Sequence, residues 1–319
     1  MAILGRFVAR RCLQAVPLLL VVSTLVFVLI HAAPGGPLEI YLANPNVRPS
    51  DIERLRRALG LDRPLWQQYW AWLWAFARGD WGYSFTDGRP VAERIVERVP
   101  ATIELVAVSI ACAIALTMPA GILSAMRRGR WFDRVTTIIT MAGMSLPAFW
   151  FGLLLQMIFA SGLGWLPSSG RATPGGGDLA DHAQHLLLPT AVLAIVLASG
   201  WSRYLRGSMV ETLSLPFIVS SRARGLPMRR VVLRHALRNA LGPFIAMVTV
   251  DAALLVSGAV VTESVFAWPG LGSLFTEALA RRDYTVLMAL LMLSASAVVA
   301  FNVVADFAHA IVDPRVPVS

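Results

Sequence analysis

Six stretches of the chain run apolar for about the thickness of a bilayer, and polar segments of unequal length separate them. Leu13 to Ala33 carries no charge and follows Arg6, Arg10 and Arg11; as a helix it would cover ~30 Å. A secretory signal has a shorter apolar core and a small-residue cleavage site, and this chain keeps returning to apolar segments afterwards, so a retained first span is expected. Ala101 to Ala125 is interrupted only by Glu104 and Pro119, and Val135 to Ser161 follows. Leu186 to Trp201 is short and would be completed by Tyr204 while Arg203 snorkels to the interface. Leu241 to Thr262 and Tyr284 to Phe307 complete the set. The pattern predicts an all-α polytopic membrane protein of six transmembrane helices.

The polar segments orient it. Arg127, Arg128, Arg130 and Arg134 crowd the short loop after the second span, whereas Gly162 to Gln184 is rich in Gly, Ser and Pro and has one arginine. Short basic loops stay inside, which puts both termini in the cytoplasm. Residues 34 to 100 are then extracytoplasmic. Ser50-Asp51-Ile52-Glu53 reads as a capping box for a helix stopped at Gly60, and a second helix opens at Pro64. Trp66, Trp70, Trp72, Trp74 and Tyr69 make that second helix either an interfacial segment or the core of a small cap. The Glu263 to Asp283 segment, with Trp268-Pro269-Gly270, is expected outside as well. The organisation is a tail and first helix over 1–33, an outer loop domain over 34–100, five helices over 101–312 and a tail over 313–319.

Composition agrees with a membrane protein: 56% of the 319 residues are hydrophobic and 15% charged. The net charge of +9 is accounted for by arginines holding loops inside, so no nucleic-acid partner is expected. All 28 basic residues are arginine. Without lysine there is no P-loop and no Schiff base, so any ATP that drives this protein is hydrolysed by another subunit. Cys12 and Cys112 lie at or within apolar segments and read as packing residues.

One polar segment is too patterned to be a plain connector. Between Arg206 and Phe244 stand seven arginines, Arg206, Arg222, Arg224, Arg229, Arg230, Arg234 and Arg238, with one acid, Glu211. Pro216 suits a first helical turn, Gly225 a left-handed position, and Pro227 the restart of a helix through Asn239. The glycine turn and the regular spacing of Val231, Leu233, Ala236, Leu237 and Ala240 favour a docking element over a solvated positive-inside loop.

The run from Arg206-Gly207-Ser208-Met209 through Arg222-Ala223-Arg224-Gly225-Leu226 to Arg229-Arg230 and Arg234-His235-Ala236-Leu237-Arg238-Asn239 resembles the cytoplasmic coupling loop of ABC importer permeases of the dipeptide/oligopeptide/nickel type. Leu59-Gly60-Leu61-Asp62-Arg63-Pro64, Arg78-Gly79-Asp80-Trp81-Gly82, Ser145-Leu146-Pro147, Glu263-Ser264-Val265-Phe266-Ala267-Trp268-Pro269-Gly270-Leu271-Gly272 and Asp313-Pro314-Arg315 extend the resemblance along essentially the whole chain. It implies a type I importer permease in the bacterial inner membrane. The implied partners are a second homologous permease, two cytoplasmic ABC ATPase domains and an extracytoplasmic solute-binding protein. The chain itself would be no enzyme and hold no cofactor, ATP and Mg being used by the partner subunits. Within a coupling loop spanning 203–240, Ser221, Arg222, Ala223, Arg224, Gly225, Leu226, Arg229, Arg230, Arg234, His235, Arg238 and Asn239 are the implied contacts with the ATPase. Two departures stand at its front: Val219-Ser220-Ser221 where the subfamily usually has Arg-Thr-Ala, and Pro216-Phe217 in place of an acid and a tyrosine.

Polar residues inside the spans complete the candidates. Asp251 costs roughly 2.5 to 3.5 kcal/mol as an ion in the bilayer centre, so with Ser257 it is a candidate for the translocation path, or else a structural hydrogen bond across the permease pair. Glu104 and Asp306 fall near span ends. His182 and His185 in the expected outside loop form a His-x-x-His pair without a further ligand, too little for a metal site. Import of di- or oligopeptides is the leading expectation, nickel or another small solute the variant within the family. A stand-alone secondary transporter or channel is the alternative from another class.

Overall fold

The computed structural model describes residues 2–32, 48, 53–54, 57, 60, 62–175, 177–256 and 259–312, with side chains from Leu13 to Val304. Its helices are α1 (Ala2–Ala32), α2 (Leu65–Ala77), α3 (Val91–Met126), α4 (Trp131–Ser145), α5 (Ala148–Gly162), α6 (Leu179–Leu213), α7 (Pro216–Ala223), α8 (Met228–Val256), α9 (Val260–Val265), α10 (Leu271–Ala280) and α11 (Tyr284–Val312). No strand occurs among the described residues beyond an isolated bridge between Tyr83 and Pro90.

Five helices, α1, α3, α6, α8 and α11, are long and apolar enough to span a bilayer, and α4 with α5 makes a sixth only as a bent pair. The expected continuous third span is therefore broken, by 100°, between Ser145 and Ala148. Proline explains it. Pro147 lacks an amide hydrogen and its ring pushes Leu146 out of the helical region, to φ −80° and ψ 125°. α9 and α10 are too short to cross and lie outside the spanning segments.

Other boundaries also move. α3 begins at Val91 rather than Ala101 and carries Pro100 and Pro119 in its interior. α6 begins at Leu179, where Asp178 caps it by accepting the Asp181 amide at 2.8 Å, so His182 and His185 sit on a helix and not in a loop. α8 starts far ahead of Leu241, at Met228, and the end of the expected fifth span becomes α9. Ser50 to Ile52 of the expected capping box and the Asp313-Pro314-Arg315 motif lie outside the described residues.

The core is built on α6. Its Trp201, Leu205 and Met209 are buried against Ala113 and Ala125 of α3 and Ala236, Ala240 and Phe244 of α8. Glycine permits the close approaches. A Cβ added at Gly121 of α3 would lie 3.0 Å from Leu205, and one at Gly143 of α4 only 2.2 Å from the Ser199 hydroxyl.

α2 meets both readings of its tryptophans. Tyr69 and Trp72 pack on Phe27 of α1, with the Tyr69 hydroxyl 2.8 Å from that of Ser23, while Trp66, Trp70 and Trp74 stay exposed on the other face.

Candidate functional site

The arginine-rich segment folds as a hook at the end of the bundle where α6 finishes. Leu215 is extended, and Pro216 opens α7 at its first position, where a missing amide hydrogen costs nothing. The helix closes on a Schellman turn. Gly225, at φ +78°, donates its amide to Arg222 O at 2.9 Å, and Leu226 donates to Ser221 O at 3.4 Å. Pro227 then restarts the chain as α8. Between Val231 and Ala236 that helix is π-wound before it becomes regular.

The regular apolar positions anchor the hook. Val231, Val232, Ala236 and Ala240, with Ile218 of α7, are buried in the same cluster as Trp201, Leu205 and Met209, and Leu237 packs against them; Leu233 is exposed. Periodicity identifies a covered face but not what covers it, and here the cover is this chain's own α6. Among the twelve expected contact residues, Ser221 is buried with its hydroxyl donating to Phe217 O at 2.7 Å, while Leu226 and His235 are half-covered.

What the hook leaves exposed is charge, with several apolar side chains. Arg222, Arg224, Arg229, Arg230, Arg234 and Arg238 are exposed and have no carboxylate partner among the described residues. Ala223, Gly225 and Asn239 are exposed beside them, the Asn239 amide donating to His235 O at 2.7 Å. Phe217, Val219, Met228 and Leu233 supply exposed apolar surface, so the Val219 and Phe217 departures add to it. Arg206 is the exception, since it reaches across to Asp133 at the start of α4 and donates from Nη2 at 2.8 Å and also from Nε. That pair ties α4 to the root of the hook.

Asp251 is held within this chain. The indole Nε1 of buried Trp201 donates to its Oδ2 at 2.6 Å, leaving the carboxylate half-buried on α8. Ser257 lies outside the described residues.

The opposite end of the bundle holds polar pairings that sequence reasoning did not find. Glu263 of α9 is fully buried and accepts from the Thr102 hydroxyl at 2.8 Å and the Ser273 amide at 3.0 Å. Burial pushes its carboxyl above the ordinary value, against the pull of the Ser273 amide, the Thr102 hydroxyl and the Gly272 amide. A Cβ on Gly270 would sit 2.4 Å from that carboxylate, which explains the glycines of the Pro-Gly-Leu-Gly run. Arg94 of α3 is likewise buried, donating to Ser84 at 3.0 Å and to Asp283 at 3.4 Å. Glu104 bonds both Arg171, at 2.8 Å, and His182, which engages that histidine in a protein contact. No group of three or more His, Cys, Asp or Glu that could hold a metal occurs among the described residues.

A helical bundle with five or six candidate spans and a structured arginine-rich hook at one end is the architecture of a polytopic membrane protein, and the sequence places it within one family. Residues 117–318 match the family described as binding-protein-dependent transport system inner membrane component, and residues 4–106 match the N-terminal part of such membrane components; the chain belongs to this family. It is 39% identical over 315 residues to the oligopeptide transport system permease protein AppB of Bacillus subtilis (strain 168), covering 98% of this chain and 99% of that one. It is 38% identical over 310 residues to the glutathione transport system permease protein GsiC of Escherichia coli (strain K12), covering 97% and 98%. The chain is thus an ABC permease of the dipeptide/oligopeptide type, a multi-pass membrane protein. Its fold is similar to that in inward-facing structures of the MetNI methionine ABC transporter, with a TM-score of 0.56, 21% identity, and coverage of 70% of this chain and 98% of that one.

Proposed function

We propose that this chain is the transmembrane subunit of an ATP-driven importer of di- and oligopeptides in the bacterial inner membrane. It forms half of a translocation path with a second homologous permease. Two ABC ATPase domains on the cytoplasmic side bind and hydrolyse ATP with Mg, and an extracytoplasmic solute-binding protein delivers the peptide. Both termini and the hook face the cytoplasm. The oligopeptide and glutathione permeases similar to it over nearly their full length support a peptide cargo.

The observation that carries the coupling role is the hook itself: six exposed arginines without a carboxylate partner among the described residues, together with exposed Phe217, Val219, Met228 and Leu233, on a segment whose other face is locked into the bundle core. Arginine and exposed aromatic and methionine side chains are enriched in protein-docking surfaces. Arg222, Arg224, Arg229, Arg230, Arg234 and Arg238 meet acidic groups on the ATPase, and Gly225 fixes the angle at which they are presented. Asp251 of α8 contributes to the path, and Ser257 is assigned to it from the sequence alone.

Reconstitution tests this. The chain with its second permease, ATPases and binding protein in liposomes takes up labelled peptide only when ATP is supplied, and the chain alone takes up none. Uptake by the chain alone, driven by an ion gradient, would make it a secondary transporter and remove the proposal.

A further inference from the structure

Two arginines one helical turn apart on α6 have opposite fates. Arg206 is neutralised by Asp133. Arg203 is exposed, and its only recorded contact among the described residues is a 3.4 Å approach of Nη1 to the sulfur of Met144. A thioether supplies neither charge nor a strong acceptor, so this guanidinium keeps its donors available for an anion. Arg203 borders a cavity of about 550 Å3 between α4, α6 and α8, walled by Met141, Met144, Met247 and Tyr204. This volume is in the range of small-ligand pockets. Methionine walls repack around differing side chains, which suits a site that grips one constant group and tolerates variation beside it.

We propose that this cavity is a transit site for the peptide, in which Arg203 binds the free carboxylate that every peptide cargo carries, glutathione included, while Met141, Met144 and Met247 accept the neighbouring side chain. This rests on the importer reading above and deepens it. A guanidinium binds a carboxylate through two parallel N–H donors, which fixes orientation without reading sequence. The walls also connect to the hook. α6 runs into α7, α8 emerges from the Gly225 turn, and Asp133 and Arg206 fasten α4 to α6. Movement of the hook therefore reshapes the three walls around the carboxylate. Lipid phosphate is the other source of an oxyanion that could reach Arg203, and the experiment separates the two.

The test uses the complete importer in liposomes, with Cys12 and Cys112 replaced by alanine and Thr137→Cys as a reporter on the cavity lining. During ATP-driven turnover, trialanine or glutathione, whichever is taken up, protects the reporter from a permeant maleimide. Arg203→Met abolishes that protection and lowers uptake roughly tenfold, and Arg203→Lys retains part of both. Reporter labelling unaffected by a peptide that the complex still imports with ATP overturns this inference and leaves the importer standing. Protection that follows the phosphatidylglycerol content of the liposomes instead of peptide gives the guanidinium to lipid, with the same result. Loss of the second permease from the purified Arg203→Met complex assigns it to subunit pairing, again against the inference. ATP-driven uptake of neither probe by the unmodified complex overturns both readings.

Discussion

Arg206 on α6 and Asp133 on α4 hold each other through both carboxylate oxygens, and the Asp133 side chain is only 5% exposed. The remaining donor to that carboxylate is the Gly129 amide at 2.8 Å. Arg206→Met strands a nearly buried charge and should cost about 3 kcal/mol. Adding Asp133→Asn should recover more than half of it, since the loss comes from the unpaired ion. Denaturant unfolding of the detergent-solubilised complex measures the cycle; losses that simply add would show the two residues to be independent.

Gly225 tests coupling by conformation alone. A Cβ there meets nothing within 4 Å, so the obstacle to substitution is φ +78° and not crowding. Gly225→Val strains the turn by about 1–2 kcal/mol and should raise the ATP hydrolysed per peptide transported, while Gly225→Asn, which tolerates this conformation, stays near normal. An unchanged ratio in the valine variant would take the turn out of the coupling path.

Asp251 separates folding from transport. Asp251→Ala leaves the buried Trp201 indole without its acceptor and should destabilise by about 1–3 kcal/mol. Asp251→Asn keeps an acceptor, so its unfolding midpoint should match the parent while peptide uptake falls several-fold. Normal uptake in the asparagine variant would confine Asp251 to packing.

Glu263 gives a pH dependence of known sign. Its carboxyl is raised by burial, so the folded state favours the protonated form. The stability it contributes is complete below the ordinary carboxyl range and is lost as pH rises through the raised value. Glu263→Gln should flatten the midpoint's dependence on pH above the ordinary carboxyl range at little cost, whereas Glu263→Ala, which abandons the Thr102 hydroxyl and Ser273 amide, should lose about 3 kcal/mol at any pH. A glutamine variant with the parental pH profile would place the titrating group elsewhere.

What the sequence could reveal depended on how local each signal was. The turn at Gly225 was legible because proline and glycine act within a few residues, and the spans because hydropathy sums over one segment. The bend at Pro147 was hidden, since Val135 to Ser161 stays apolar on both sides of it. Glu263 with Thr102, and Arg94 with Asp283, are partners far apart in the chain, and nothing in either neighbourhood announces the other. The spacing of Val231, Ala236 and Ala240 marked a structured hook but not its cover, because an apolar stripe looks the same whether it meets its own bundle or another protein.

The π-wound stretch from Val231 to Ala236 joins the hook to α8. A π turn holds one residue more than an α turn, so that stretch stores a one-residue slip in the helical register. Releasing it would rotate Arg229 and Arg230 by about 100° around the α8 axis while leaving Phe244 where it is. The linkage between hook and bundle is thus geared for twist as well as for push, and a spin label on Arg230→Cys measured against one on α6 would read the angle.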